Sequence, residues 1–180
     1  MKNNVSDSAS ECWYAIQTKS RNEKKVLERL LIKGFEAYLP LVTTIKLWSD
    51  RKKKVTSPLI SSFVFVKTKK ENLIRALETQ GTAGVLKFLG KPAIIRDYEI
   101  ENLKILMNDS AQVTPLEDVI YEPGEHVQVV NGAFTGLIAE LIRIQGKHRI
   151  IVKIDSLGSK FSINIPLSFI KKQKVLSRLA

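Results

Sequence analysis

The residues able to do acid–base, nucleophilic or metal chemistry are few in this chain and badly spaced for it. Its two histidines, His126 and His148, stand twenty-two positions apart, and Cys12 is the one cysteine. No zinc cluster can be assembled from that set at the usual Cys/His spacings. Each histidine reads as an exposed residue near a strand end, and Cys12 beside Trp13 reads as a small buried apolar residue. Gly132 and Gly136 flank Phe134, but no Gly-Lys-Ser/Thr follows to cradle a phosphate. No nucleophile elbow is present. Asp97, Glu99 and Glu101 cluster where a helix should start, and the helix dipole accounts for them without catalysis. The chain reads as a non-enzyme with no cofactor and no metal.

What remains is positive charge. The 180 residues carry 29 Lys and Arg against 18 Asp and Glu, a net charge of +11. Residues 1–110 hold 20 cations and 12 anions, and residues 111–180 hold 9 and 6, so the first part has most of the excess. Two groups stand out: Arg51-Lys52-Lys53-Lys54 in succession, and Lys19, Arg21, Lys24, Lys25 and Arg29 around one helix start. Such groups attract a polyanion, with nucleic acid foremost.

The elements that must carry these cations are organised around Pro58-Leu59-Ile60-Ser61-Ser62-Phe63-Val64-Phe65-Val66-Lys67. Its apolar run is continuous and rich in β-branched and aromatic residues, which predicts a central strand covered on both faces. Before it, Cys12 to Thr18 is expected as a first strand. Ser20-Arg21-Asn22-Glu23 has the form of a capping box. Val26, Leu27, Leu30 and Leu31 give the buried face of the helix that follows, and Gly34 stops it. Phe35 to Leu39 is a second strand. Thr43–Trp48 and Lys53–Leu59 are the arms of a hairpin with a turn at 49–52.

After the central strand, Thr68-Lys69-Lys70-Glu71 repeats the capping-box form, before a helix buried through Leu73, Ile74 and Leu77. Val85–Leu89 and Ala93–Ile95 are expected as two short strands around Gly90-Lys91-Pro92. Asp97 caps a third helix with Ile100, Leu103 and Met107 inward. The result is an α+β domain with helices on a mostly antiparallel sheet. From 110 to 122 the pattern lapses into a linker. After Gly124 only strand signals remain, with turns at Asn131-Gly132, Gln145-Gly146-Lys147 and Leu157-Gly158-Ser159. About five short strands in so short a span predict a small closed barrel. The expected division is a frayed tail at 1–10, a first domain at 11–109, the linker at 110–122 and a barrel at 123–174. A single cysteine, no apolar leader and no membrane-length apolar run predict a soluble, cytoplasmic protein.

Several of these stretches together carry a family likeness. Trp13-Tyr14 opens the first strand. The basic first helix follows, then Tyr38-Leu39-Pro40, and then Pro58-Leu59 leading into Phe63-Val64-Phe65-Val66. In this order they resemble the N-terminal (NGN) domain of NusG-type transcription elongation factors. The segment from His126 to Glu140, with Val127-Gln128-Val129-Val130-Asn131-Gly132-Ala133-Phe134-Thr135-Gly136, resembles the SH3-like KOW domain of the same family. The resemblance spans nearly all of residues 12–172. The chain departs from it in having Ile60-Ser61-Ser62-Phe63 where general members have Phe-Pro-Gly-Tyr, and in a shortened segment around Phe134. Both departures resemble specialised paralogs of the RfaH-like and UpxY-like kinds.

The resemblance implies a monomeric, cytoplasmic antitermination and elongation factor. Such a factor docks on the clamp helices of the largest subunit of bacterial RNA polymerase. It suppresses pausing and termination on long operons such as those for surface polysaccharides. It implies a polymerase-binding surface at Tyr14, Gln17, Ile60 and Phe63. It implies that Lys19, Arg21, Lys25, Arg51 and Lys52 meet the non-template DNA strand. In the KOW domain, Phe134 is the implied contact for a small-subunit ribosomal protein or a termination factor. A housekeeping elongation factor and a ribosome-associated KOW RNA-binding protein remain as alternatives.

Overall fold

The computed structural model describes residues 10–47, 51–115, 124–144, 147–154 and 157–172. The expected tail lies outside them apart from Ser10, and so does the expected linker beyond residue 115. The chain divides into two units. One comprises Met1–Pro40 with Pro58–Asp97, and the other Leu41–Ser57 with Tyr98–Ala180.

In the first unit, β1 (Cys12–Thr18) pairs antiparallel with β5 (Phe63–Thr68), and β5 pairs on its other side with β2 (Glu36–Tyr38). The expected central strand is therefore central. Val64, Phe65 and Val66 are fully buried, each contributing roughly 1.5–3 kcal/mol of apolar burial. β6 (Thr82–Val85) and β9 (Ile94–Ile95) both pair with β1. Between them β7 (Lys87–Phe88) and β8 (Lys91–Pro92) form a small hairpin of their own. Cys12 is only half-buried, because it sits at the open start of β1.

Helix α1 (Glu23–Ile32) buries Val26 and Leu30, whereas Leu31 and Ile32 are exposed. At ten residues, its buried stripe is narrower than the apolar spacing predicts. Gly34, at φ +82°, ends it in the left-handed turn open to glycine. Helix α2 (Leu73–Leu77) is preceded by a 3-10 turn at Lys70–Asn72. The expected capping box there does not form. Thr68 is the buried last residue of β5, and no side chain caps the turn. Ile74, expected inward, is exposed, and Ala76 takes the buried position instead.

The second unit contains β3 (Leu41–Leu47) and β4 (Lys52–Pro58), a two-stranded ladder in which the Thr43 and Thr56 hydroxyls hydrogen-bond at 2.9 Å. Helix α3 (Asp97–Leu106) buries Ile100, Leu103 and Leu106, with Met107 only partly covered. A 3-10 segment, Met107–Gln112, leads into β10 (Val113–Pro115). The first part of the expected linker is thus ordered structure. β10 pairs with β14 (Ser159–Ile163), placing Val113 opposite Ile163. With β11 (Glu125–Val129), β12 (Ile138–Ile144), β13 (Lys147–Ile154) and β15 (Ile170–Lys172) they form one antiparallel sheet. Its order is β10-β14-β13-β12-β11-β15.

The Asn102 side chain binds the edge of β12 where β13 does not reach. Its amide donates to the Ile138 carbonyl at 3.3 Å and accepts from the Ile138 N–H at 3.5 Å. Asn108 donates to the Ala133 carbonyl at 3.2 Å. Gly124 lies so close to β12 that an added Cβ would collide with the Leu141 carbonyl.

Candidate functional site

Four side chains were expected to share a docking surface, and the ladder register brings two of them together. Gln17 and Phe63 are cross-strand partners on β1 and β5, so they project from the same face of the sheet. Gln17 is exposed and Phe63 half-buried. Tyr14, three residues before Gln17 on the same strand, projects from the opposite face. There it is 3% exposed, with Val66 and Ile94 as its cross-strand partners. Ile60 is 8% exposed, in the turn before β5.

That turn is held at both of its backbone polar groups. Ser62 adopts φ +63°, a left-handed conformation costly for a residue with a Cβ. Its N–H donates to Glu23 Oε1 at 2.8 Å. Its carbonyl accepts from the Thr18 N–H at 2.9 Å. Glu23 is itself buried. It is the first residue of α1 and does not serve as the third residue of a capping box. Asn22 stands at the cap position, with no side-chain cap bond. Sequence reasoning missed this tie, because a bond made by a backbone N–H leaves no mark in the type of the residue that donates it. Through it, the start of α1 fixes the residue that aims Phe63.

The cations fall into two groups that belong to different units. Lys19, Arg21 and Lys25 are exposed on the β1–α1 connection and the first turns of α1. That connection is ordered by Lys19 N–H to the Gly81 carbonyl at 2.9 Å and by Asn22 Nδ2 to the Ser20 carbonyl at 3.0 Å. Arg51 and Lys52 are exposed at the start of β4, followed by exposed Lys53 and Lys54. Two further cations, Arg29 in α1 and Lys33 just after it, are occupied inside the first unit. Arg29 Nη1 donates to the Gln80 carbonyl at 2.6 Å. Lys33 Nζ donates to the Arg75 carbonyl at 3.3 Å and to Thr79 Oγ1 at 2.9 Å.

Phe134 lies in a loop folded onto itself and is 4% exposed. Gly136 N–H donates to the Val129 carbonyl, Leu137 N–H to the Phe134 carbonyl and Thr135 Oγ1 to the Gly132 carbonyl. The side chains this loop exposes are those of Val130, Asn131, Ala133 and Thr135. His126 is exposed in β11, while the side chain of His148 lies outside the described residues. Among the described residues no group of His, Cys, Asp and Glu is placed to hold a metal ion. No described helix is long and apolar enough to cross a membrane.

The family model described as "Transcription termination factor nusG" matches residues 11–104. The chain is 29% identical over 174 residues to the transcription termination/antitermination protein NusG of Helicobacter pylori, covering 89% of this chain and 96% of that one. It is 27% identical over 184 residues to the protein of the same description in Rickettsia typhi, covering 95% and 92%. Among solved structures, Thermotoga maritima NusG is similar at a TM-score of 0.49 and 19% identity, with 93% of this chain and 99% of that chain covered. The family match covers more than half of the chain, including the β1–β5 ladder with Gln17 and Phe63. This chain therefore belongs to the NusG family of transcription termination/antitermination factors.

Proposed function

We propose that the chain docks on bacterial RNA polymerase through the end of the β1–β5 ladder, with Phe63 as apolar anchor and Gln17 beside it. The observation that carries this reading is the register that pairs these two side chains on one face. Because the preceding turn is fastened at Ser62, little ordering is left to be done on binding, which favours affinity. Tyr14, on the opposite face of β1, and Ile60, in the turn before β5, are the other two residues that the family resemblance implies for this surface. The clamp helices of the largest subunit are the partner that the family resemblance implies. Bound there, the protein would shift the enzyme away from its paused, open-clamp population without making or breaking a bond.

Lys19, Arg21 and Lys25, and separately Arg51 and Lys52, would attract the non-template DNA strand by salt-dependent phosphate contacts. The second sheet serves as an SH3-like KOW barrel. Its 130–136 loop, folded around Phe134, would meet a small-subunit ribosomal protein or a termination factor. The factor would act as a cytoplasmic monomer on long operons such as those for surface polysaccharides. In support of a specialised role, the turn before Phe63 keeps a left-handed residue yet places serine there instead of glycine. A factor acting on most genes is the second reading. It is favoured by the Helicobacter and Rickettsia relatives, which match over nearly the whole chain.

The test is binding of the full chain to purified bacterial core polymerase, comparing wild type with Phe63→Ala and Phe63→Asp. Loss of binding by a Phe63→Asp protein that keeps its circular dichroism spectrum supports the docking face. Equal binding by all three proteins sinks it.

A further inference from the structure

The β7–β8 hairpin has no part in the docking face just proposed, yet it presents the most exposed aromatic and apolar pair in the first unit. Phe88 is 72% exposed and Leu89 87%. The tip is rigid. Leu89 at φ +49° and Gly90 at φ +79° form a two-residue left-handed turn of the kind that closes tight hairpins. The base is rooted in the main sheet. Leu86 N–H donates to the Ala15 carbonyl of β1, and Ala93 N–H donates to the Leu86 carbonyl, both at 2.8 Å. A loose loop could fold Phe88 inward; this one holds it out.

The segment that carries the hairpin has charge of one sign. From Thr79 to Arg96 there is no carboxylate, while Lys87, Lys91 and Arg96 are cations. Phe88 and Lys91 are cross-strand partners, so ring and ammonium share one face of the hairpin, and Lys87 lies on the other with Pro92. An aromatic face beside a cation is the pairing that takes up a nucleotide: the base stacks on the ring and its phosphate meets the ammonium. A purely apolar protein groove would leave both flanking lysines without a partner.

We infer that the Lys87–Lys91 hairpin is a stacking site for single-stranded nucleic acid, with Phe88 taking a base, Lys91 its phosphate, and Leu89 the neighbouring base edge. The inference rests on the proposed reading only in taking nucleic acid as the polyanion. It needs no polymerase, so the two can fail separately.

The test is fluorescence anisotropy of the full chain with labelled fifteen-nucleotide oligothymidylate, set against an abasic strand of equal length and against an oligouridylate. Wild type is expected to prefer the base-bearing strands. Phe88→Ala should weaken them roughly ten-fold while leaving the abasic strand unchanged. Phe88→Trp should retain the preference. Lys91→Gln should weaken all strands and lower the slope of log affinity against log salt by about 0.7. Equal oligothymidylate and oligouridylate binding places the preference in the shared base face and phosphate, and a preference for oligothymidylate adds a contact to the thymine methyl or the deoxyribose; either supports the site. Unchanged oligonucleotide affinity in Phe88→Ala overturns it. If that variant instead loses only polymerase binding, the tip is a protein contact and the inference is equally overturned.

Discussion

Glu23 and Ser62, thirty-nine positions apart, are joined by a 2.8 Å hydrogen bond from the Ser62 backbone N–H to the Glu23 carboxylate. It links the first turn of α1 to the strained turn that leads into β5. Removing the acceptor leaves a part-buried N–H unsatisfied. Glu23→Ala is therefore expected to cost about 1–3 kcal/mol in urea unfolding. Glu23→Gln keeps an acceptor oxygen and should cost less than half of that. Equal losses from the two substitutions would mean that the bond is not what Glu23 contributes.

Ser62 itself offers the opposite change. A left-handed conformation costs a residue with a Cβ about 1–2 kcal/mol, and glycine avoids this at an entropic cost of about 0.5–1. Ser62→Gly should raise thermal stability slightly, by about 1 kcal/mol or less. Ser62→Val should lower it, because a branched Cβ is worse still in that region. Differential scanning calorimetry of the two variants tests the sign.

Gly124 is a site of contact and not of turn geometry. A Cβ there would strike the Leu141 carbonyl, which belongs to the sheet backbone and cannot swing aside. Gly124→Ala is expected to destabilise the second unit by at least about 2 kcal/mol, within the range for forced overpacking. Gly158→Ala, where a Cβ meets nothing within 4 Å, is the control and should cost only the backbone strain of its φ of +65°.

The Lys153–Glu140 pair lies inside the same sheet at 2.7 Å, with the Glu140 side chain 10% exposed and the Lys153 side chain 30%. Breaking it from the lysine side strands the more buried charge. Lys153→Met should cost about 2 kcal/mol at neutral pH, below the 3–5 expected of a fully buried pair. The double variant with Glu140→Leu should recover much of the loss. A double-mutant cycle by chemical denaturation measures the coupling.

How far the sequence foretold the fold depended on whether local residues decided the matter. The central strand was legible because Phe63–Val66 is apolar without alternation and built of aromatic and β-branched residues, which suits a strand covered on both faces. Gly34 was legible because few other residues end a helix so cheaply. The two capping boxes were not, since a tertiary partner outcompeted the local one. Glu23 reaches Ser62, and Thr68 completes a strand. The inward turn of Ile74 failed for a related reason: α2 has only five residues, and Ala76 fills the space. At the candidate site, residue types could nominate Tyr14 and Gln17 alike. Three positions along a strand put them on opposite faces, and only the register shows that Gln17 is the one beside Phe63. For Phe134, a loop aromatic gives no sign of whether it faces out or in; the hydrogen bonds that fold 129–137 decide it.

Arg29 and Lys33 hold carbonyl oxygens of the first unit, and this changes how its charge should be counted. Counterions are released on binding only by cations that reach phosphate, and a side chain fastened to its own backbone does not reach. A salt titration of nucleic-acid affinity should therefore return fewer ions than the formal charge implies, and neutralising Arg29 or Lys33 should leave its slope nearly unchanged. Both substitutions should appear instead as a looser joint between α1 and the segment from Arg75 to Gly81. Part of what looks like electrostatic reach in the sequence is mortar.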